Sequence, residues 1–393
     1  MNITLDGQVR FTLTMGVLAR TPAAINQPPA SRPRTARPGA PRKEGSTMRR
    51  LPARRRLAAL AAAALVLPAA AACGGDDQGG SGGDDSALVI YSGRNEKLVK
   101  PILDQVEKAV GTEVEVRYGD SAELAAQILE EGDRSEAALF FSQDAGALGA
   151  LSKEGRLEKL PEKTLGKVDP SYRSGKGDWT GVSGRARVIA YNPEKTAKAP
   201  DSVHDVTGAK WKGEVGYAPT NASFQAFVTG MRVLEGDDAT RDWLKDLKAN
   251  GAKEYANNLA VLDAVDSGEV SLGLINHYYW YERVAEKGDD AVTAKLHFLP
   301  GGDPGALVNV AGAGVLEGSG QSEQARKAVD FLLSEKAQTY FAEETKEYPL
   351  AAGVDPQTED LPPLDSLDSP EIDLGELDSL QETLAMLQDV GMV

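Results

Sequence analysis

The chain holds one cysteine, Cys73, so an intramolecular disulfide is impossible and the core must carry the fold. It has no GxSxG elbow, no HExxH pair, no phosphate-binding GxxxxGK[ST] loop and no paired-cysteine site. Asp and Glu are plentiful, yet no spacing among them marks an acid/base pair. These absences count against an enzyme. The apolar run from Leu57 to Ala72 is short for a bilayer span. No internal repeat is evident. Basic charge is also scarce beyond the front. Residues 1–72 hold 12 of the 43 Lys and Arg but 2 of the 59 Asp and Glu, which leaves a remainder of 31 basic and 57 acidic residues. That surface repels nucleic acid and anionic lipid headgroups.

What is present begins with export. Arg49, Arg50, Arg54, Arg55 and Arg56 follow Met48, the Ala/Leu run comes next, and small residues lead to Cys73. A basic segment, an apolar segment and a small-residue cut site describe a secretory signal. The Gly/Asp/Ser stretch from Gly74 to Ser86 reads as a flexible leash. The arrangement resembles a bacterial lipoprotein signal, although Ala70-Ala71-Ala72-Cys73 lacks the leucine usual at the start of that motif. The resemblance implies a signal peptide over 48–72, cleavage before Cys73 and lipid on its sulfur. The mature chain is then extracytoplasmic and touches the cell membrane through its anchor only. Residues 1–47 are Pro/Arg/Ala-rich and aperiodic, which fits disorder or a true start at Met48.

The body alternates strand and helix. Ala87–Tyr91 is a first strand, Glu96–Val110 has helical spacing, and Val114–Tyr118 alternates as a second strand. Ser121–Glu130 is a helix with Ser121 as cap, Ala137–Phe141 a third strand and Ala145–Leu151 a short helix. Gly184–Asn192, Lys212–Ala218, Val270–Ile275 and Val308–Leu316 are further strands, with helices at Ser223–Leu234, Arg241–Lys248, Leu259–Val265 and Ser322–Glu335. A turn-rich segment, Pro356–Pro370, precedes a closing helix around Leu380–Leu387. This rhythm predicts an α/β fold whose strand-end loops carry function.

One such strand end is Asn276-His277-Tyr278-Tyr279-Trp280-Tyr281. Phenols supply the hard oxygen donors a highly charged ion such as Fe³⁺ prefers. Neighbours on a strand point to opposite faces, so Tyr278 and Tyr279 share one ion only if the strand has ended and a helix begins. Asn276 is the expected cap there. A helix N-terminus favours phenolate over phenol. The alternative for these aromatics is plain packing.

The chain resembles the iron(III)-binding component of ABC importers, in VIYSGRNE (89–96), FFSQDAGALGALSKEGRLEKLP (140–161), SGRARVIAYNP (183–193), WKGEVGYAPTNASFQAF (211–227), LINHYYWY (274–281), VNVAGAGVL (308–316) and YFAEETKEYPL (340–350). The resemblance implies a two-lobed periplasmic-binding-protein fold of type II, with mixed sheets flanked by helices and a cleft between lobes. Lobe 1 is expected over 87–187 and 308–355, and lobe 2 over 188–307 and 356–393. It further implies a monomer that captures Fe(III) as transported ligand and docks to a permease with its ATPase.

In that family a consecutive tyrosine pair binds the ion, which assigns Tyr278 and Tyr279 as metal ligands. Two other positions depart from the pattern. Many relatives carry histidine at Asn95 and glutamate at Gln143, and neither amide is a good Fe³⁺ ligand. Phe224 stands where some relatives place a third tyrosine. Glu96 is a possible cleft contact, and His277 is expected behind the site or at the surface. Two phenolates leave an octahedral shell open, so a synergistic anion such as carbonate or phosphate is expected. Its seats are the turn Thr220-Asn221-Ala222 with Asn258 and Asn276, or Arg185 and Arg94 as guanidinium clamps unless surface salt bridges occupy them. Carriage of a ferric chelate, or of phosphonate, thiamine or polyamine, remains the alternative.

Overall fold

The computed structural model describes residues 87–354, 358 and 360–393. The export segment, Cys73, the leash and residues 355–357 of the tail lie outside them. Among the described residues no helix is long and apolar enough to cross a membrane.

The apolar run after the leash forms β1 (Leu88–Ser92), parallel to β2 (Val114–Tyr118) on one side and β3 (Leu139–Ser142) on the other. A strand in that central place is covered on both faces, which is why it reads as continuous hydrocarbon. The crossovers carry α1 (Glu96–Val110) and α2 (Ser121–Glu131). Gly111 ends α1 at φ 76°, a left-handed conformation that glycine adopts without a Cβ penalty. Asp120, not Ser121, caps α2, because its carboxylate accepts from both the Ala122 and Glu123 N–H groups. Ser121 is buried in the first turn, where its Oγ accepts from the Gln143 N–H at 2.8 Å. Two helices, α3 (Ala145–Lys153) and the short α4 (Glu162–Leu165), follow β3.

The next strand, β4 (Trp179–Tyr191), is longer than the sequence pattern indicates and serves two sheets. From Trp179 to Ala186 it pairs antiparallel with β9 (Val308–Val315). From Arg187 to Tyr191 it pairs with β7 (Leu272–Asn276), and Ile189–Tyr191 also meet β8 (Lys295–His297). Its apolar residues are interrupted by Ser183, Arg185 and Arg187, which hid the full length of the strand. The second lobe is built from β5 (Val215–Tyr217), α5 (Ala222–Glu235), α6 (Asp237–Ala249), β6 (Lys253–Glu254), α7 (Asn258–Asp266), β7 and α8 (Tyr278–Lys287). The strand order is β2-β1-β3-β9-β4-β7-β5-β6. The expected helix Ser322–Glu335 divides into α9 (Ser322–Leu332) and α10 (Glu335–Glu343), since Ser334 turns the chain and caps the second piece. The chain then adds β10 (Tyr348–Pro349), paired with β4, and α11 (Leu380–Asp389).

Each lobe has its own core. Ile90, Phe140, Trp179, Val310 and Phe341 are sealed in the first, and Tyr217, Phe227, Trp243 and Leu272 in the second. Full burial of one such side chain contributes about 1.5–3 kcal/mol. A third cluster joins Trp280 and Tyr281 of α8 to Val188, Val308 and Tyr348 on the crossing strands and β10. The helix that opens with the tyrosine pair is therefore seated against the strands that cross between the lobes.

Candidate functional site

Strand β7 stops at Asn276 and α8 starts at Tyr278, which is the break two adjacent phenols need. Their ring centroids lie 4.1 Å apart at 30°. Tyr278 is 4 % exposed and Tyr279 half-buried. Burial pushes the Tyr278 phenol well above its ordinary pKa, Tyr279 adds to that, and Arg185 opposes it. The protein alone thus keeps Tyr278 protonated at neutral pH, and a strong cation must displace the proton.

Asn276 is not the cap of α8. The cap position belongs to His277, whose side chain makes no capping bond. Asn276 ends β7, where its Oδ1 accepts from Arg187 Nη1 at 3.2 Å. His277 is fully buried, not at the surface. Its Nδ1 accepts from the Ala186 N–H at 3.1 Å, and its Nε2 bonds the Lys346 carbonyl at 3.0 Å. The ring is therefore the neutral tautomer with the proton on Nε2, and burial lowers its pKa to about 4.

Two arginines of β4 face the cleft. Arg185 is 3 % exposed, and its Nη2 donates to the Gln143 carbonyl while Nε has no partner among the described residues. Arg187 is 5 % exposed. It bonds Asn276 and Ser223 Oγ and lies with its guanidinium carbon 5.2 Å from the Phe227 ring centroid. Burial lowers the pKa of both guanidinium groups, that of Arg187 to about 10. With Gln143, Asp144, Ala222 and Asn276 they line a cavity of about 20 Å³ that both lobes enclose.

The start of α5 forms the opposite wall. Asn221 caps it, its Oδ1 accepting from the Ser223 N–H at 3.0 Å and Oγ at 2.7 Å. Asn258 is wholly buried, donates to Asn221 Oδ1 and Ser223 Oγ, and among the described residues leaves its own Oδ1 unpartnered. Thr220 is exposed, and Phe224 packs against Tyr217 in the core.

Arg94 lies elsewhere in this assembly. It is 2 % exposed, and its Nη2 is held by both oxygens of Glu347, at 2.9 and 2.8 Å. Ser183 Oγ donates to the same carboxylate at 2.6 Å. This is a buried pair rather than a surface salt bridge, and it engages Nη2 alone, since among the described residues Arg94 Nε and Nη1 have no partner. Asn95 caps α1 and, like Glu96, is exposed. Gln143 is half-buried at the cavity.

Sequence reasoning missed three groups: Glu347, Arg187 and Glu282. Glu347 and Arg187 could have been flagged as charges inside otherwise apolar strand neighbourhoods. Glu282 lies one turn along α8 from Tyr278, and its buried Oε1 has no partner among the described residues. Its pKa is pushed up to about 7 by burial and by Glu347, against Arg94 and Lys346. Among the described residues, no three His, Cys, Asp or Glu side chains gather into a metal cluster.

Two lobes on crossing strands, with a polar cleft between them, define a solute-binding protein. Residues 135–372 match the family described as bacterial extracellular solute-binding protein. The chain is 36 % identical over 311 residues to the major ferric iron-binding protein of Neisseria meningitidis serogroup B, covering 78 % of this chain and 93 % of that one. It superimposes on iron-bound HitA from Pseudomonas aeruginosa with TM-score 0.72 and 37 % identity, over 78 % of this chain and 99 % of the other. A Trichodesmium protein solved with iron and citrate gives TM-score 0.65 and 27 % identity, over 78 % and 99 % of the two chains. The chain belongs to the ferric-iron-binding family of bacterial extracellular solute-binding proteins.

Proposed function

We propose that this protein captures Fe³⁺ between its lobes through the phenolates of Tyr278 and Tyr279, together with a small oxyanion, and delivers it to an ABC permease driven by an ATPase. It works outside the cytoplasm as a monomer, tethered by lipid on Cys73, and catalyses nothing. The lobes are 87–187 with 308–355, and 188–307 with the tail from Ser379, while Leu374 and Leu377 of the tail pack in the first.

The observation that carries this reading is the stacked phenol pair at the β7–α8 break. Charge supports the anion. Fe³⁺ on two phenolates keeps one net positive charge, and Arg185 and Arg187 add two more in a site almost closed to water. Glu347 is already engaged by Arg94, so it does not offset them fully. A carbonate or phosphate offsets most of this charge, held by Arg185 Nε, the start of α5, Asn258 and Asn276. Capture of the ion by one lobe then recruits the other and shifts the open–closed equilibrium.

A ferric chelate is the second reading, favoured by the Trichodesmium relative solved with iron and citrate. The cavity of about 20 Å³ is lined by Arg185, Arg187 and Asn276 and not by the tyrosines, and it has room for little more than one water-sized group in this conformation, which favours a small anion at the arginines over a bulky chelator.

The test is the metal and anion content of natively purified protein, read with its visible spectrum. One iron per chain, carbonate or phosphate in proportion and a phenolate-to-iron absorption band are expected. Colourless protein that takes up no ferric ion would overturn the reading, and stoichiometric citrate would replace the small anion with a chelate.

A further inference from the structure

The C-terminal segment touches both helices that open onto the cleft. Helix α3 starts beside Gln143 and Asp144, and α5 starts at Ala222, so each presents its first turn to the cavity from its own lobe. The 3-10 turn Leu374–Asp378 lies flat on α3. A Cβ on Gly149 would stand 2.4 Å from the Gly375 carbonyl oxygen, and one on Gly146 equally close to that of Leu377. Only glycine permits that approach. Lys153 Nζ meets Asp378 Oδ2 at 2.8 Å, and Leu374 and Leu377 enter the first lobe's core.

One residue later the chain is fastened to the other lobe. Arg232 of α5 donates to the Ser379 carbonyl at 2.8 Å and to Thr383 Oγ1 at 2.9 Å. Thr229 and Thr383 share a hydrogen bond of 2.8 Å, and Met386 and Leu387 sit in the second core. Between the anchors, Leu377 and Leu380 close a second small interlobe cavity with Asp144 and Ala226.

We propose that residues 374–389 are an interlobe strap that limits how far the cleft opens, and that the short link Asp378–Leu380 sets this limit. Three residues stretched from a 3-10 rise to extended chain lengthen by about 4 Å. Opening beyond that margin requires one anchor to detach. The glycine contact on α3 and the Arg232 hydrogen bonds thereby govern release, although neither touches ligand.

The test lengthens the link without disturbing either anchor, by inserting two glycines between Asp378 and Ser379 in the mature chain. Small-angle scattering of the iron-free protein should show a wider molecule than wild type, and iron release to a competing chelator should quicken by about tenfold. The position of any iron absorption band should stay unchanged. A second variant, Gly149→Val, lifts the strap from α3 and should act in the same direction. Wild-type scattering from the folded insertion variant overturns the strap, as does scattering that widens while release stays within twofold. The release measurement rests on the iron reading above. The scattering measurement does not, so a protein that binds no iron would leave the strap decided by its shape alone.

Discussion

His277 and Ala186 exchange two hydrogen bonds, the Ala186 N–H to His277 Nδ1 at 3.1 Å and the His277 N–H to the Ala186 carbonyl at 3.0 Å. The pair joins the residue before the tyrosines to the crossing strand, and Nε2 extends the tie to Lys346. Replacing His277 by Leu leaves the Ala186 N–H and the Lys346 carbonyl without their partner. The expected loss is about 2–3 kcal/mol of unfolding free energy, read by urea titration at pH 7. Wild type should also lose stability in acid. A folded pKa near 4 against an unfolded value near 6.5 means that the unfolded chain binds the extra proton, so this contribution fades as pH falls between those values. A His277→Leu variant with an unchanged slope in that window would refute the assignment.

The tyrosines predict a spectroscopic result. Tyr278→Phe and Tyr279→Phe each remove one hard donor and one charge-transfer source. Each single variant should lose about half the band intensity and weaken iron binding by at least about a hundredfold, since a charged ligand bond is worth several kcal/mol. The double variant should be colourless with iron. Folding should be nearly unaffected for Tyr279→Phe, whose ring is half-buried and stacks on its neighbour. Full colour in either single variant would show that its hydroxyl is no ligand.

The parts of this structure legible in the sequence are those set by local pattern. The hydrocarbon run of β1 and the helical spacing of α1 follow from side-chain periodicity, and the β7–α8 break at Asn276–Tyr278 is the condition under which adjacent tyrosines share one ion. What escaped depends on distant partners. Arg94 reads as a surface cation until Glu347, which lies far along the chain, is folded against it. Asn276 has the chemistry of a cap, but Arg187 across the sheet engages its oxygen first. Ser121 yields to Asp120 because a carboxylate is the stronger acceptor and the serine is wanted by Gln143. No periodicity announces such choices.

The Arg94–Glu347 pair should be costly to break from one side. Both side chains are 1 % exposed. Glu347→Ala leaves a buried guanidinium and the Ser183 hydroxyl without their acceptor, so about 3–5 kcal/mol of stability should be lost. The double variant Arg94→Met with Glu347→Leu should recover most of it, because a buried ion pair is often no better than hydrocarbon of the same volume. Thermal unfolding of the two variants beside wild type decides the matter, and a double variant as unstable as Glu347→Ala would count against it.

Glu282 carries the opposite pH signature from His277. Its carboxyl is pushed up to about 7 by burial and by Glu347. The folded chain therefore holds a proton that the unfolded chain releases near its ordinary value of 4.5. The stability tied to that proton is complete below about pH 4.5 and is lost as pH rises toward 7. Glu282→Gln keeps the shape and removes the titration. It should match wild type at pH 4.5 and exceed it by about 1–2 kcal/mol at pH 8, a figure reduced for the partial solvent access of the side chain. Urea titrations at the two pH values measure the difference directly. Equal stability at pH 8 would mean that Arg94 and Lys346 already compensate the ionised carboxylate, and that its Oε1 finds a partner once charged.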